Sequence, residues 1–241
     1  METYKLNASG RLAQKFRLEN GLSLNEAVNM KSLIRKLNIL TVYRPMSECA
    51  YGLSLKSPKG ARFILVNSNS SRGRQHFTIA HELFHLYYDK NPRPHICCKD
   101  GTSMTERNAD RFASALLMPE EGIIGMLTDE EYAEKRISIA QVLRLEQYFG
   151  VSRRTMLIRL KELNLISAVQ YENLKNYPVV RSAKEYGYDD STYIMSIGRC
   201  FFIACIDGNK VVVKTTLDRD GIYTDQLMLY VDSKREAEKY A

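Results

Sequence analysis

One stretch of the sequence decides the fold that we expect: Phe77-Thr78-Ile79-Ala80-His81-Glu82-Leu83-Phe84-His85-Leu86. Its apolar residues recur at the spacing of a buried helix face. On such a helix His81 and His85 lie one turn apart and face the same way, so both imidazoles can bind one metal ion. Glu82 lies beside them, where it can take a proton from water on that metal. The alternative is a core helix whose histidines make ordinary hydrogen bonds, and each would then need a buried polar partner.

A zinc site with an open position for water needs a third protein ligand, and Glu106 is the best candidate. Glu106 begins a second run with helical periodicity, which Pro119 predicts to end at Met118. Glu106 and Asp110 fall on adjacent turns of one face of that helix. We therefore expect Glu106 to bind the metal and Asp110 to accept the second ring N–H of a ligand histidine. Two alternatives stay open: both acids are solvated surface charges, or Asp110 is itself the ligand.

The two helices together resemble a known family. The first stretch, followed by Glu106-x-x-Ala109-Asp110-x-Phe112-Ala113-x-x-Leu116-Leu117-Met118-Pro119, is similar to the ImmA/IrrE family of bacterial metallopeptidases. The pairing of H-E-x-x-H with E-x-x-x-D is also similar to the wider gluzincin class. The resemblance is close over about residues 60–120 and extends over about residues 30–165. It implies that His81, His85 and Glu106 are the ligands of one zinc ion and that Glu82 is the general base.

The resemblance also implies a biological role, that of a zinc-dependent endopeptidase of anti-repressor type, which cleaves a helix-turn-helix transcription repressor. Peptide hydrolysis further needs a group that stabilises the oxyanion. The candidates by proximity in sequence are Arg74, Tyr87, Tyr88 and His95. Two rival functions remain: a regulator that binds and displaces a repressor without cutting it, and a DNA-binding regulator whose metal site is structural.

Length and composition are those of an ordinary globular protein. The chain has 241 residues, of which 44% are hydrophobic and 26% charged, and a formal net charge of +7. No apolar run approaches the roughly 20 residues that span a bilayer. The first residues, Met1 to Lys5, lack the apolar core of a signal peptide. These features predict a cytoplasmic protein without membrane attachment, and they leave its oligomeric state open.

The five cysteines, Cys49, Cys97, Cys98, Cys200 and Cys205, do not form a regular pattern. An odd number without regular spacing argues against a disulfide framework. Free thiols are therefore expected. A redox role for Cys97 or Cys98 and a second metal site beside His95 are open alternatives.

The order of predicted elements indicates an α+β fold. It consists of a helical zinc-metallopeptidase core with a small β-sheet (residues 1–130), a helix-turn-helix-like segment (131–170) and a small β-rich C-terminal extension (171–241). In the core we expect two helices before three strands, and a long loop from Tyr87 to Ser103. Of the strands, Arg62 to Val66 is the candidate edge strand for binding an extended substrate. The predicted elements are helices Ala8 to Phe16 and Leu24 to Leu37, and strands Ile39 to Tyr43, Tyr51 to Leu55 and Arg62 to Val66.

Residues 137–166 predict two helices joined by Gly150-Val151-Ser152, with Ser152 as the N-cap of the second. Four basic residues on or near the second helix make a DNA or protein contact conceivable: Arg153, Arg154, Arg159 and Lys161. The alternative is that the helix pair serves only for packing or for protein docking. Nearby Glu146 and Glu162 dilute the positive charge, so DNA binding is the less favoured interpretation.

The C-terminal extension contains a predicted β-hairpin. Its strands are Cys200 to Ile206 and Lys210 to Thr216, joined by the turn Asp207-Gly208-Asn209. Leu227 to Val231 is a candidate third strand. No catalytic constellation is apparent here, so we expect a docking module, a ligand-sensing module or a cap on the fold.

Overall fold

The computed structural model describes residues 8–47, 50–57, 60–89, 103–188 and 190–193, and the backbone of 97–98, 205–207 and 210–212. Helices and two small sheets make a mixed α+β fold in the described residues, as predicted. The helices are α1 (Ala8–Glu19), α2 (Met30–Lys36), α3 (Arg72–Tyr88), α4 (Met104–Leu117), α5 (Glu120–Ile124), α6 (Asp129–Glu134), α7 (Ile139–Phe149), α8 (Arg153–Glu162), α9 (Ala168–Lys175) and α10 (Val179–Glu185). A short 3-10 helix spans Asp190–Thr192. None of the helices in the described part of the chain has the length and apolar character to cross a lipid bilayer.

The main sheet contains β1 (Ile39–Arg44), β2 (Ala50–Lys56), β3 (Arg62–Asn67) and β4 (Cys97–Cys98) in the order β1-β3-β2-β4. β3 is parallel to β1 and antiparallel to β2, and β4 is antiparallel to β2. The prediction that Arg62 to Val66 is an edge strand is therefore wrong. Its run Phe63-Ile64-Leu65-Val66 is continuous rather than alternating, which is typical of a strand that is covered on both faces.

The sheet packs on α3, and α3 packs on α4. Gly52 of β2 allows the close approach, because a Cβ atom there would lie 2.6 Å from both the Leu65 carbonyl oxygen and Thr78 Cγ2 of α3. One continuous apolar cluster extends from Ala13 to Leu174 and includes the inner faces of α3, α4, α7 and α8. The domain boundaries at residues 130 and 170 stay predictions, and the core itself continues across both.

The predicted helix from Leu24 to Leu37 is wrong in its first half, because α2 begins only at Met30. The Asn29 side chain caps α2 by accepting a hydrogen bond from Ser32 N. Before it, the buried guanidinium of Arg17 donates to the carbonyl oxygens of Ser23 and Glu26. These carbonyl oxygens thus accept from a side chain of α1 rather than from helical N–H groups. The periodicity of residues 24–37 could not indicate this.

The predicted helix pair at residues 137–166 is confirmed as α7 and α8. Gly150 ends α7 in the left-handed conformation, with φ of 62°. The Ser152 side chain caps α8 by accepting from Thr155 N. Met156, Leu157 and Leu160 are fully buried, as the pattern predicted.

The region after residue 170 is more helical than we expected. α9 begins before the predicted start of the β-rich extension, with Ser167 as its N-cap, and α10 follows Pro178. β5 (Cys205–Asp207) and β6 (Lys210–Val212) then pair antiparallel, which confirms the centre of the predicted hairpin. Leu227 to Val231 lies outside the described residues. The predicted loop from Tyr87 to Ser103 is wrong at two places, since Tyr87 and Tyr88 end α3 and Cys97–Cys98 form β4.

Candidate metal centre

Two packed helices bring the predicted metal ligands together. His81, Glu82 and His85 lie on the inner face of α3, where they are 5%, 0% and 2% exposed. Glu106 lies in the first turn of α4, whose N-cap Ser103 accepts a hydrogen bond from Glu106 N. The positive end of a helix dipole favours a negatively charged side chain at this place. The start of α4 is thus a favourable place for the Glu106 carboxylate.

The ligand atoms converge on one point. His81 Nε2 lies 3.1 Å from His85 Nε2 and 3.2 Å from Glu106 Oε2. His85 Nε2 lies 3.4 Å from Glu106 Oε1. The three side chains form a group whose ligand atoms all lie within 4.8 Å of one another, so they can hold one metal ion.

A carboxylate holds the outer nitrogen of each imidazole. Asp110 Oδ1 lies 2.8 Å from His81 Nδ1, and Asp89 Oδ2 lies 3.2 Å from His85 Nδ1. Because a carboxylate only accepts hydrogen bonds, we assign the proton of both rings to Nδ1. Both Nε2 lone pairs then face each other and the Glu106 carboxylate. This arrangement is repulsive by itself and is suited to a cation at its centre.

The surroundings favour the neutral form of His85. Burial lowers the pKa of His85 below its ordinary value, and the neighbouring His81 lowers it further. Three acids act in the opposite direction on this pKa: Glu82, Asp89 and Glu106. The net effect is a lowered pKa, and neutral imidazole is the form that binds a metal.

Glu82 is the fourth side chain of the site, and it is a buried acid. Its side chain is 0% exposed, and neither carboxylate oxygen has a hydrogen-bond partner among the described residues. A buried carboxylate without partners is costly. Such a group beside three converging ligand atoms is therefore available to act on a water molecule or a substrate there.

The two sequence alternatives for the α4 acids do not match this geometry. Glu106 has only 14% of its side chain exposed, so it is not a solvated surface charge. Asp110 is 58% exposed and contacts the Nδ1 side of the His81 ring, whereas Glu106 contacts the Nε2 side. This places Asp110 behind a ligand rather than at the point of convergence.

Of the candidates for oxyanion stabilisation, three contact other groups. The Arg74 guanidinium lies 4.6 Å from the centroid of the Tyr51 ring. Tyr87 lies beneath the Arg62 guanidinium, at 4.4 Å. The Tyr88 ring lies 5.4 Å from the Phe112 ring, between centroids, and burial raises the pKa of its hydroxyl to about 12. His95 lies outside the described residues.

The basic face predicted for α8 is only half present. Arg153 is 3% exposed, and its guanidinium pairs with the buried Glu146 carboxylate, so the proposed surface contact by Arg153 is wrong. Arg159 is 4% exposed and donates to the Met118 carbonyl oxygen at 3.1 Å. Arg154 and Lys161 are exposed. Helical spacing alone does not show whether a basic residue is exposed, because a buried acid such as Glu146 can compensate its charge in the interior. This explains the error.

Sequence reasoning missed two features of this region. The first is Asp89, which falls within the predicted loop from Tyr87 to Ser103, although its i+4 spacing from His85 was a usable signal. The second feature is the buried group of Glu146, Arg153 and Tyr193, in which Tyr193 Oη donates to Glu146 Oε2 at 2.6 Å. Tyr193 lies 47 residues after Glu146 in the sequence, so no local pattern indicated this contact.

Comparison with known proteins gives the family. The model of the peptidase M78 family, described as the IrrE N-terminal-like domain, matches residues 34–161, which is more than half of the chain. No curated protein matches the chain. The matched range includes α3, α4, α7 and nearly all of α8, so it contains every residue of the metal centre. The chain is therefore a member of the peptidase M78 family of IrrE N-terminal-like domains, and its function is of the metallopeptidase type.

Proposed function

We propose that the chain is a zinc-dependent endopeptidase of anti-repressor type, whose substrate is a helix-turn-helix transcription repressor. Membership of the M78 family supports peptide hydrolysis. Two imidazoles and one carboxylate are a donor set that suits zinc. The repressor substrate follows from the resemblance of the two metal helices to ImmA/IrrE proteins. The proposal places the protein in the cytoplasm, where such a repressor acts.

The observation that carries the proposal is the pair of unpartnered Glu82 oxygens beside the converging ligands. A purely structural metal site does not require a further buried acid without hydrogen-bond partners, whereas hydrolysis needs a base at this place. When bound, zinc polarises a carbonyl and lowers the pKa of a coordinated water to about 7. His81, His85 and Glu106 would hold the ion. Both histidines are buried and only 14% of the Glu106 side chain is exposed, so bulk water has limited access to the site.

Glu82 carries the proton transfers. As water attacks the scissile carbonyl, a Glu82 oxygen accepts its proton, and the same carboxylic acid then donates that proton to the leaving amine. Asp110 and Asp89 hold the Nδ1–H groups of the two imidazoles, so their Nε2 atoms stay directed at the ion throughout.

Glu82→Gln tests this function. The purified chain is incubated with helix-turn-helix repressors from its own genome, and the products are identified by mass spectrometry. We expect site-specific cleavage, lowered about 10²- to 10⁴-fold by Glu82→Gln, while zinc is retained. Glu134→Gln, an acid-to-amide change at an exposed residue of α6, is the matched control and leaves cleavage unchanged.

The rival without proteolysis makes a different prediction. If Glu82→Gln still relieved repression fully in cells, and no repressor were cut, the chain would act by binding alone. The DNA-binding rival is weakened by the burial of Arg153 and Arg159.

A further inference from the structure

Asp89 occupies an unusual position for an acid. It is the C-cap of α3, with φ of −74° and ψ of 125°, so it is the residue at which the active-site helix becomes extended chain. Only 18% of its side chain is exposed. Its Oδ2 lies 3.2 Å from His85 Nδ1, one helical turn back.

Local preferences do not explain this acid. The C-terminal end of a helix carries the negative end of the macrodipole, so a carboxylate is disfavoured there and a cation is favoured. Burial makes the mismatch more costly, because screening by water is reduced. A residue that contradicts the local preference of its position is expected at a functional site. One group that compensates Asp89 here is the Nδ1–H of His85.

The contact has a directional consequence for the ligand. Nδ1–H of His85 donates to Asp89, so the lone pair of His85 is on Nε2, the atom that faces His81 and Glu106. His81 has the equivalent contact with Asp110. The two carboxylates differ in origin, because Asp110 comes from α4 whereas Asp89 comes from the end of α3 itself. Asp89 thus links the orientation of the His85 ring to the position at which α3 ends.

We propose that Asp89 is a positioning residue of the metal centre: it fixes the tautomer and ring orientation of His85 and thereby strengthens metal binding. This role rests on the proposed function, in that it takes His85 to be a zinc ligand. It predicts that a substitution of Asp89 affects zinc binding more strongly than the stability of the zinc-free protein.

The test compares zinc affinity and metal-free stability in Asp89→Asn. Asparagine keeps the size of the side chain and removes the charge that orients the imidazole. Zinc affinity is measured by competition with a chromophoric chelator, and the thermal unfolding midpoint is measured on the zinc-free protein. We expect zinc affinity to fall about 10- to 100-fold. The zinc-free variant is expected to unfold cooperatively with a midpoint that is only slightly lowered, because the asparagine carbonyl oxygen can still accept the bond from His85.

Two matched variants make the result specific. Glu134→Gln removes an exposed acid from the last residue of α6, another helix C-terminus, and leaves zinc affinity unchanged. Asp110→Asn removes the equivalent partner of His81, and we expect a loss of zinc affinity of the same order as in Asp89→Asn.

The outcomes separate this role from the proposed function. Wild-type zinc affinity in Asp89→Asn overturns the role of Asp89 and leaves the proposed function intact. Loss of cooperative unfolding in the zinc-free variant also overturns it, since Asp89 would then act on the fold rather than on the orientation of His85. If the unchanged chain binds no zinc, the proposed function fails first, and the role of Asp89 falls with it.

Discussion

Two buried glutamates in this protein have the same exposure and opposite surroundings. Glu82 of α3 and Glu146 of α7 are both 0% exposed. Both Glu146 oxygens have partners, since one pairs with the Arg153 guanidinium and the other accepts from the Tyr193 hydroxyl. Neither Glu82 oxygen has a hydrogen-bond partner among the described residues. Burial alone therefore does not identify a functional acid, whereas burial without partners beside metal ligands does.

The largest effect is expected when each glutamate is exchanged for glutamine, which tests the difference between their surroundings. Glu146→Gln leaves the Arg153 guanidinium buried without its counter-charge, so we expect the free energy of unfolding to fall by about 3–5 kcal/mol. Glu82→Gln changes a buried carboxylate that has no hydrogen-bond partner among the described residues, so the unfolding free energy of the zinc-free protein should stay the same or rise. Chemical denaturation with urea measures both values. Equal losses in the two variants would contradict the distinction.

A smaller effect is expected from the hydroxyl that completes the Glu146 group. Burial and the adjacent carboxylate raise the pKa of Tyr193, so its hydroxyl stays protonated and donates to Glu146. Tyr193→Phe removes this bond while the Arg153 pair remains, and the unfolding free energy should fall by about 1.5–3 kcal/mol. Tyr177→Phe, at a tyrosine that is 48% exposed, is the control and should change it by less than about 0.5 kcal/mol. A Tyr193→Phe protein as stable as this control would remove Tyr193 from the group.

The smallest effect concerns pH and His76 of α3. Burial lowers the pKa of His76 below its ordinary value, and its Nδ1–H donates to the Gly150 carbonyl oxygen. The unfolded chain therefore binds the proton more readily than the folded one. The stability that depends on neutral His76 is fully present above its unfolded pKa of about 6.5 and is lost as pH falls through the folded pKa.

His76→Asn isolates this contribution, because Asn places an amide N–H near the position of Nδ1. Urea unfolding of the zinc-free proteins is compared at pH 7.5 and 5.5. We expect the variant to lose less stability than the unchanged chain on acidification. Burial raises the pKa of three acids, Glu120, Glu146 and Glu162, and their opposite contributions are common to both proteins. An identical pH dependence of the two proteins would show that His76 does not titrate as described.

Part of the fold and of the metal centre could be predicted from the sequence. The metal helices were predictable because their constraints are local: His81 and His85 are one turn apart, and Glu106 and Asp110 are one turn apart. The pairing of α7 with α8 was predictable for the same reason, through Ser152 and Gly150. Asp89 lies four residues after His85, so the same rule could have indicated their contact.

What could not be predicted depends on contacts between different elements of the fold. Arg17 takes the carbonyl oxygens that a helix from Leu24 would have used. β3 lies between β1 and β2 because it pairs with both, and the pattern of one strand does not contain its neighbours. Arg153 has the sequence of a surface residue and becomes buried only because Glu146 faces it. In each case a tertiary partner overrides the local signal.

The measurement that tests the central claim most directly is the zinc content of three purified proteins by elemental analysis: the unchanged chain, Glu106→Ala and Glu82→Gln. The account predicts about one zinc per chain in the unchanged protein and in Glu82→Gln, because Glu82 is a base and not a ligand. It predicts little zinc in Glu106→Ala. Failure of the unchanged chain to bind zinc when zinc is supplied, or full zinc content in Glu106→Ala, would contradict the account.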